Sequence, residues 1–300
     1  MTLQSSAANP SLRVMTDYPV ERRSGSARRF ERTGLLCLPA VIYMLVGFVL
    51  PLGIMASYSV TNPSLSLSNY DTLFQESLYR ILLWNTVRIT ALVVIATLLI
   101  AYPYAYLMSR LHGMKLAIMA LAVLLPFLSS TVVRAFTWLT LLSPNGPIPG
   151  MLRTLGLSHP PTLVGNSFSV VVGLAQVCMP FLVFPIYSAL TLVSDDYLRA
   201  AASMGAGPLV AFRRITLPLT KPGIVVGCLL VAVYAMGGYV TPELLGGQGS
   251  VILNQDIVTQ IQTVVGFGPA SAVGVGLLLL SAVCVLFAAK LVGSRSVFGA

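Results

Sequence analysis

Apolar residues in this chain gather into long unbroken runs, with little polar spacing inside them. Six runs approach or reach the roughly 20 residues a helix needs to cross a hydrocarbon core. Their cores lie at 35–58, 89–108, 116–133, 167–193, 222–242 and 269–289. The pattern predicts an all-α polytopic membrane protein with six transmembrane helices. Pro39, Pro51, Pro103, Pro126, Pro180 and Pro185 fall within the runs. Prolines there free backbone groups that neighbouring helices must satisfy, so kinked helices packed together are expected. Two turn-rich stretches, SPNGPIPG (143–150) and GGYVTPELLGGQGS (237–250), read as loops or re-entrant segments.

The polar remainder fixes the organisation. Only 9% of residues are charged, against 56% hydrophobic. The net charge of +9 is no nucleic-acid signature, because the basic residues sit where topology signals sit. Arg13, Arg22, Arg23, Arg28, Arg29 and Arg32 precede the first run, among Asp17, Glu21 and Glu31. A cytoplasmic N-terminus places fourteen of the eighteen Lys and Arg residues on the cytoplasmic side. Both termini and the 194–221 loop are therefore expected inside, in a multi-pass protein contacting membrane lipid. Residues 1–34 read as a basic tail without stable structure up to about residue 30. Residues 35–60 read as the first transmembrane helix, and 85–292 as a core of five more. Arg134 is expected to snorkel at an interface, and Trp84 and Trp138 to lie in aromatic belts.

The span cores contain no Asp, Glu, Lys, Arg or His; His112 and His159 both fall in loops. Proton-coupled carriers normally need such groups in the membrane, so that mechanism is disfavoured. Sodium coupling through backbone carbonyls at broken helices stays open. Cys37, Cys178, Cys228 and Cys284 lie in apolar runs without Cys-x-x-Cys spacing, which suggests neither a disulfide framework nor a metal site. No His-Glu-x-x-His or Gly-x-Ser-x-Gly motif is present, so no catalytic residues and no enzyme are expected. No Gly-Lys pair exists to form a Walker A loop. Energy for uphill transport would have to enter from another subunit.

One cytoplasmic stretch suits that role: RAAASMGAGPLVAFRRITLP (199–218). Ala200, Ala201, Ala202, Ser203 and Gly205 predict a helix with a nearly bare surface, which another backbone can approach closely. Gly205 supplies a left-handed turn, and Gly207-Pro208 starts a second short helix over about 208–216. Leu209, Phe212 and Ile215–Thr216 fall on one stripe of it. Arg213 and Arg214 stand near its C-terminal end, where cations favour the helix dipole. Pro218 and Pro222 are expected to stop it ahead of the fifth span.

The stretch resembles the cytoplasmic signature of binding-protein-dependent ABC importer permeases, Glu-Ala-Ala-x3-Gly-x9-Ile-x-Leu-Pro. Ala200, Ala201, Gly205, Ile215, Leu217 and Pro218 fall in register, while Arg199 stands at the usual glutamate. LLPFLSSTVVRAFTWLTLL (124–142), YVTPELLGG (239–247) and GFGPASAVG (266–274) are similar to the spermidine/putrescine-type subfamily. The resemblance implies the type I ABC importer permease fold and makes the loop an ATPase-coupling segment, with Leu209 and Phe212 buried at or near the contact. It implies two ATPase subunits carrying ATP and magnesium, a second and different permease subunit, and a periplasmic substrate-binding protein. It implies no cofactor or metal in this chain.

A polyamine-like cation calls for carboxylates and aromatic faces. The outer-side candidates are Glu243 and Asp256, with Tyr234 and Tyr239 one or two turns below Glu243. Glu243 reads equally well as a carboxylate capping the Gly-rich turn. The alternatives are the same machine carrying an opine, an amino-acid derivative or another small solute, and an ion-coupled secondary transporter.

Overall fold

The computed structural model describes residues 26–61, 68–157, 160–264 and 267–292. Among them every regular element is helical. The chain divides into two compact units, Met1–Gly53 and Ile54–Ala300. The first holds most of α1 (Ser26–Thr61), which begins inside the segment expected to lack structure. Arg13, Arg22 and Arg23 lie outside the described residues.

In the second unit α2 (Ser68–Gln75) docks on the end of α1, where Asn69 Nδ2 donates to the Ser59 carbonyl at 3.0 Å and the Ser59 and Tyr70 hydroxyls meet at 2.8 Å. Then follow α3 (Ser77–Ser109), α4 (Gly113–Leu128), α5 (Thr131–Leu142), α6 (Pro147–Thr154), α7 (Ser167–Thr191) and α8 (Asp195–Ser203). The C-terminal part holds α9 (Pro208–Ala211), α10 (Leu217–Gly237), α11 (Val240–Leu245), α12 (Leu253–Thr259) and α13 (Phe267–Val292).

Among the described residues five helices are long and apolar enough to span a bilayer, and the third expected span is broken. Gly113–Leu128 and Thr131–Thr154 meet at 98°, so the run at 116–133 is no single rod. Pro126 lies just before the bend, and Ser129-Ser130 favours a new helix start over continuation. The second expected span, 89–108, extends back to Ser77 and takes Arg80 and Arg88 into α3, both exposed.

α7 is the central helix, with 61% of its apolar window buried against 28% for α3. It packs on α3 and α10. On α3 the buried positions Leu82, Thr86, Ile89, Val93, Thr97, Ala101, Ala105 and Met108 step by three and four. From Ile89 onward the stripe faces α7 and α10, while Leu82 packs on Leu253 and Val273. Thr86 and Thr97 sit in that stripe because each hydroxyl donates to the carbonyl one turn back, at 2.7 Å.

α10 approaches α7 backbone to backbone. A Cβ on Gly223 would stand 2.5 Å from the Pro185 carbonyl oxygen, and one on Gly227 would stand 2.7 Å from Leu182 Cδ1. This Gly-x-x-x-Gly pair is the small-residue spacing that lets membrane helices touch.

Overpacking this contact should cost about 1–3 kcal/mol. Gly223→Leu is expected to lower the thermal midpoint of the purified protein by several degrees. Gly276→Ala, whose Cβ meets nothing within 4 Å, is expected to leave it unchanged. Equal midpoints for the two variants would refute the close contact.

Candidate coupling loop and translocation pathway

The loop joins α7 to α10. Ser194 starts α8 by accepting from the Asp196 amide at 3.2 Å, and Asp195 and Asp196 occupy the first turn, where acids favour the dipole. α8 closes in a paired C-cap: the Ala206 amide reaches the Ala201 carbonyl and the Gly205 amide reaches Ala202, both at 2.9 Å. Gly205 has φ +81°, and a Cβ there would meet nothing within 4 Å. The glycine is needed for its backbone conformation rather than for space.

Pro208 takes the first position of α9, as expected. The second short helix does not stop, however. Phe212–Thr216 form a π-turn, with the Leu217 amide bonded to the Phe212 carbonyl, and the chain continues into α10. Pro218 and Pro222 therefore lie in a continuous helical stretch, Pro208–Gly237. Pro218 sits in the first turn after the register change, where a missing amide costs little.

The stripe also divides. Leu209 is 77% exposed, whereas Phe212 turns inward against the Tyr102 and Tyr106 rings of α3. Ala201 and Thr216 are buried, and Ile215 and Leu217 are half-buried. Arg199, Ala200, Arg213, Arg214 and Pro218 are exposed. Met204 (81% exposed), Tyr197 and Val210 are further large apolar side chains exposed on the same loop. Tyr197 and Met204 were detectable from the sequence as apolar residues in a short amphipathic helix and its cap. Asp195, one turn before Arg199, is held by Arg110 at 3.3 Å.

Toward the other end of α10 a cavity of about 410 Å³ is lined by Thr131, Leu174, Val233, Tyr234, Gly237, Gly238, Tyr239, Val240 and Thr241. It gathers Tyr234 and Tyr239, but neither Glu243 nor Asp256. The Tyr234 ring lies 5.4 Å from Phe181, and Phe181 lies 5.4 Å from Phe127, so α4, α7 and α10 each supply one ring.

Beside these rings Arg134 is only 8% exposed, contrary to the snorkelling role expected for it. Its guanidinium donates to the Pro126 and Phe127 carbonyls at 3.0 and 3.3 Å and to Thr131 Oγ1 at 3.1 Å. It also stands 5.8 Å over the Phe127 ring. The break after α4 exposes carbonyls at the negative end of a helix, and a buried guanidinium satisfies them. Its Nε has no hydrogen-bond partner among the described residues. Trp138 is likewise tied inward, donating to Gln176 Oε1 at 2.8 Å, while Trp84 is exposed.

Residues 116–296 match the family described as the binding-protein-dependent transport system inner membrane component. The chain belongs to this family. It is 33% identical over 222 residues to the spermidine/putrescine transport system permease protein PotB of Haemophilus influenzae, covering 74% of this chain and 77% of that one. Against PotB of Escherichia coli the identity is 30%, over 72% and 80% of the two chains. In fold it is similar to a chain of the bacterial alginate ABC transporter solved with its pentasaccharide-bound periplasmic protein. That TM-score is 0.74 at 19% identity, covering 93% of this chain and 100% of the other. The fold is that of a type I ABC importer permease, and the protein is a multi-pass inner-membrane transport subunit, not an enzyme.

The permease pins its turn-rich segment 237–259 from several sides. Ser169 Oγ donates to the Leu245 carbonyl at 2.7 Å, and the Gly165 amide reaches it at 3.0 Å. A Cβ on Gly247 would collide with the Gly165 carbonyl oxygen. From α3, Asn85 Nδ2 donates to the Val251 carbonyl and Thr86 Oγ1 accepts from the Leu253 amide. Glu243 is exposed and accepts from Gln255 Nε2 at 2.8 Å. The Gly-rich turn is closed instead by Ser250, whose hydroxyl accepts from the Gly247 amide. Asp256 is bonded to Gln260, which also donates to the Tyr79 hydroxyl at 3.0 Å.

Burial pushes the Asp256 carboxyl above its ordinary range; the Gln260 amide partly offsets this, and Glu76 adds to it. A raised native pKa means the folded state holds the proton more tightly than the unfolded chain. This contribution is full below the ordinary carboxylate value and is lost as pH rises through the native one. Between about pH 4 and pH 6 the thermal midpoint should therefore fall more in the wild-type protein than in Asp256→Asn. Parallel curves would contradict the shift.

The left-handed Gly205 supports a second test. A β-branched side chain there should cost about 1–2 kcal/mol, near tenfold in local opening. Gly205→Val is expected to speed hydrogen exchange of the Gly205 and Ala206 amides accordingly, and Gly205→Asn to do so much less. Equal rates in the two variants would mean that the conformation does not depend on the glycine.

Proposed function

We propose that this chain is one permease subunit of an ATP-driven importer of polyamine-like small organic cations. It works with a second, different permease subunit and two ATPase subunits that bind ATP and magnesium. A periplasmic binding protein delivers the substrate. Both termini and the 194–221 loop lie in the cytoplasm, a reading that the Lys and Arg asymmetry supports. The substrate class is supported by the spermidine/putrescine permeases to which the chain is similar.

The observation that carries the energy-coupling role is the loop. A chain with no Walker A motif presents a short helix ended by left-handed Gly205, with Met204 and Leu209 exposed beside it. Apolar side chains clustered on an exposed loop mark a protein contact. Arg199, Ala200, Arg213 and Arg214 lie on the exposed surface around them, and Ala201, Ile215, Leu217 and Pro218 shape the framework. Along the pathway, Tyr234 and Tyr239 offer aromatic faces to ammonium groups, and Glu243 and Asp256 offer carboxylates on the outer side.

Two measurements test this reading. Met204→Asp with Leu209→Asp should reduce co-purification of the ATPase subunits by about tenfold or more while membrane insertion persists. Undiminished association would remove the loop from the contact. Calorimetry of the cognate binding protein should give heat with putrescine or spermidine; no heat with any polyamine would overturn the substrate class.

A further inference from the structure

The inward turn of Phe212 gives the loop a second connection to the membrane helices besides its own backbone. Phe212 meets Tyr102 and Tyr106, one turn apart on α3, with ring centroids 5.8 Å apart in each case and rings nearly perpendicular, at 84° and 87°. Both tyrosines are engaged further. The Tyr102 hydroxyl lies 3.2 Å from Thr220 Oγ1 on α10. Arg110 lies 5.3 Å over the Tyr106 ring, donates to its hydroxyl at 3.4 Å, and pairs with Asp195 at the start of α8.

These contacts form a closed circuit running from α8 through Arg110, Tyr106, Phe212 and Tyr102 to Thr220. Phe212 is the only member that belongs to the π-turn, the widened turn where the helix can change register. Two cavities, of about 430 and 310 Å³, adjoin this region, and Tyr106, Arg110, Leu198 and Thr216 line both. A side chain set among cavities can shift without first repacking a dense core.

We infer that Phe212 is a positioning residue that transmits displacement of the loop to α3, so that α3 and α10 move together. Continuity of α9 with α10 alone would move only α10. The clasp makes the α3 end follow, and with it the α3 stripe packed on α7. This inference rests on the loop being the ATPase contact.

The test uses the complete importer, with both permease subunits, the ATPase subunits and the binding protein, reconstituted in proteoliposomes. ATP hydrolysis and substrate uptake are measured together. Phe212→Ala is expected to leave the ATPase subunits bound and hydrolysing ATP while uptake per ATP falls by about tenfold. Phe212→Tyr keeps the ring and is expected to restore most of the ratio. Tyr106→Leu removes one of the two α3 rings while leaving every loop residue in place and should lower the ratio likewise, which covers the case of an unstable Phe212→Ala.

A wild-type ratio in both Phe212→Ala and Tyr106→Leu would overturn the inference. So would loss of ATPase association in Phe212→Ala, which would make Phe212 part of the docking surface. Full association of the Met204→Asp, Leu209→Asp double variant would instead overturn the docking role of the loop on which the inference rests.

Discussion

The close backbone approach of α10 to α7 at Gly223 and Gly227 is the contact on which the rest of the structure depends. It sets α10 against the most buried of the described spans, and α10 carries the loop at one end and the cavity at the other. From Phe212 to Tyr234 the helical path is about 33 Å, so one continuous helical stretch links the two sites. A side chain larger than glycine at either position would push α10 away from α7 and disturb both ends together. The π-turn lies just outside the Gly223–Gly227 contact, with its own Thr216 buried and its Phe212 packed on α3.

A second constraint is that backbone polar groups away from water need partners. Two of the breaks between the described helices are satisfied from neighbouring side chains. Arg134 serves the end of α4 across the 98° bend. Asn85, Thr86 and Ser169 serve the 245–253 backbone from α3 and α7. Irregular backbone is thus placed beside the aromatic cavity and in the pinned 237–259 segment. The cavity wall contains rings, hydroxyls and glycines but no carboxylate. On the proposed function, a cation passing it would meet aromatic quadrupoles from this chain rather than an ion pair.

Much of this was readable from residue order because the governing rules are local. Runs of apolar residues gave the spans, Gly205 the left-handed cap and Pro208 the start of the following helix. What could not be read depends on tertiary neighbours. Leu209 and Phe212 share a helical stripe, yet only the tyrosines of α3 decide that Phe212 faces inward and Leu209 outward. Pro218 is a stop signal in an ordinary helix, and the π-turn before it removes the stop. Arg134 near an apolar run has the composition of an interfacial anchor; its burial follows from a bend that brings the open carbonyls of α4 to it. The Gly-x-x-x-Gly spacing at Gly223 and Gly227 was visible throughout and is a signal that span-finding alone passes over.

The central claim is that this chain moves its substrate with energy taken from an ATPase through its loop. Uptake of labelled spermidine and putrescine by proteoliposomes holding the complete importer tests it most directly, with ATP, binding protein and ion gradients varied separately. The account predicts uptake that needs both ATP and the binding protein and is indifferent to sodium or proton gradients. Uptake driven by such a gradient without the ATPase subunits would contradict it.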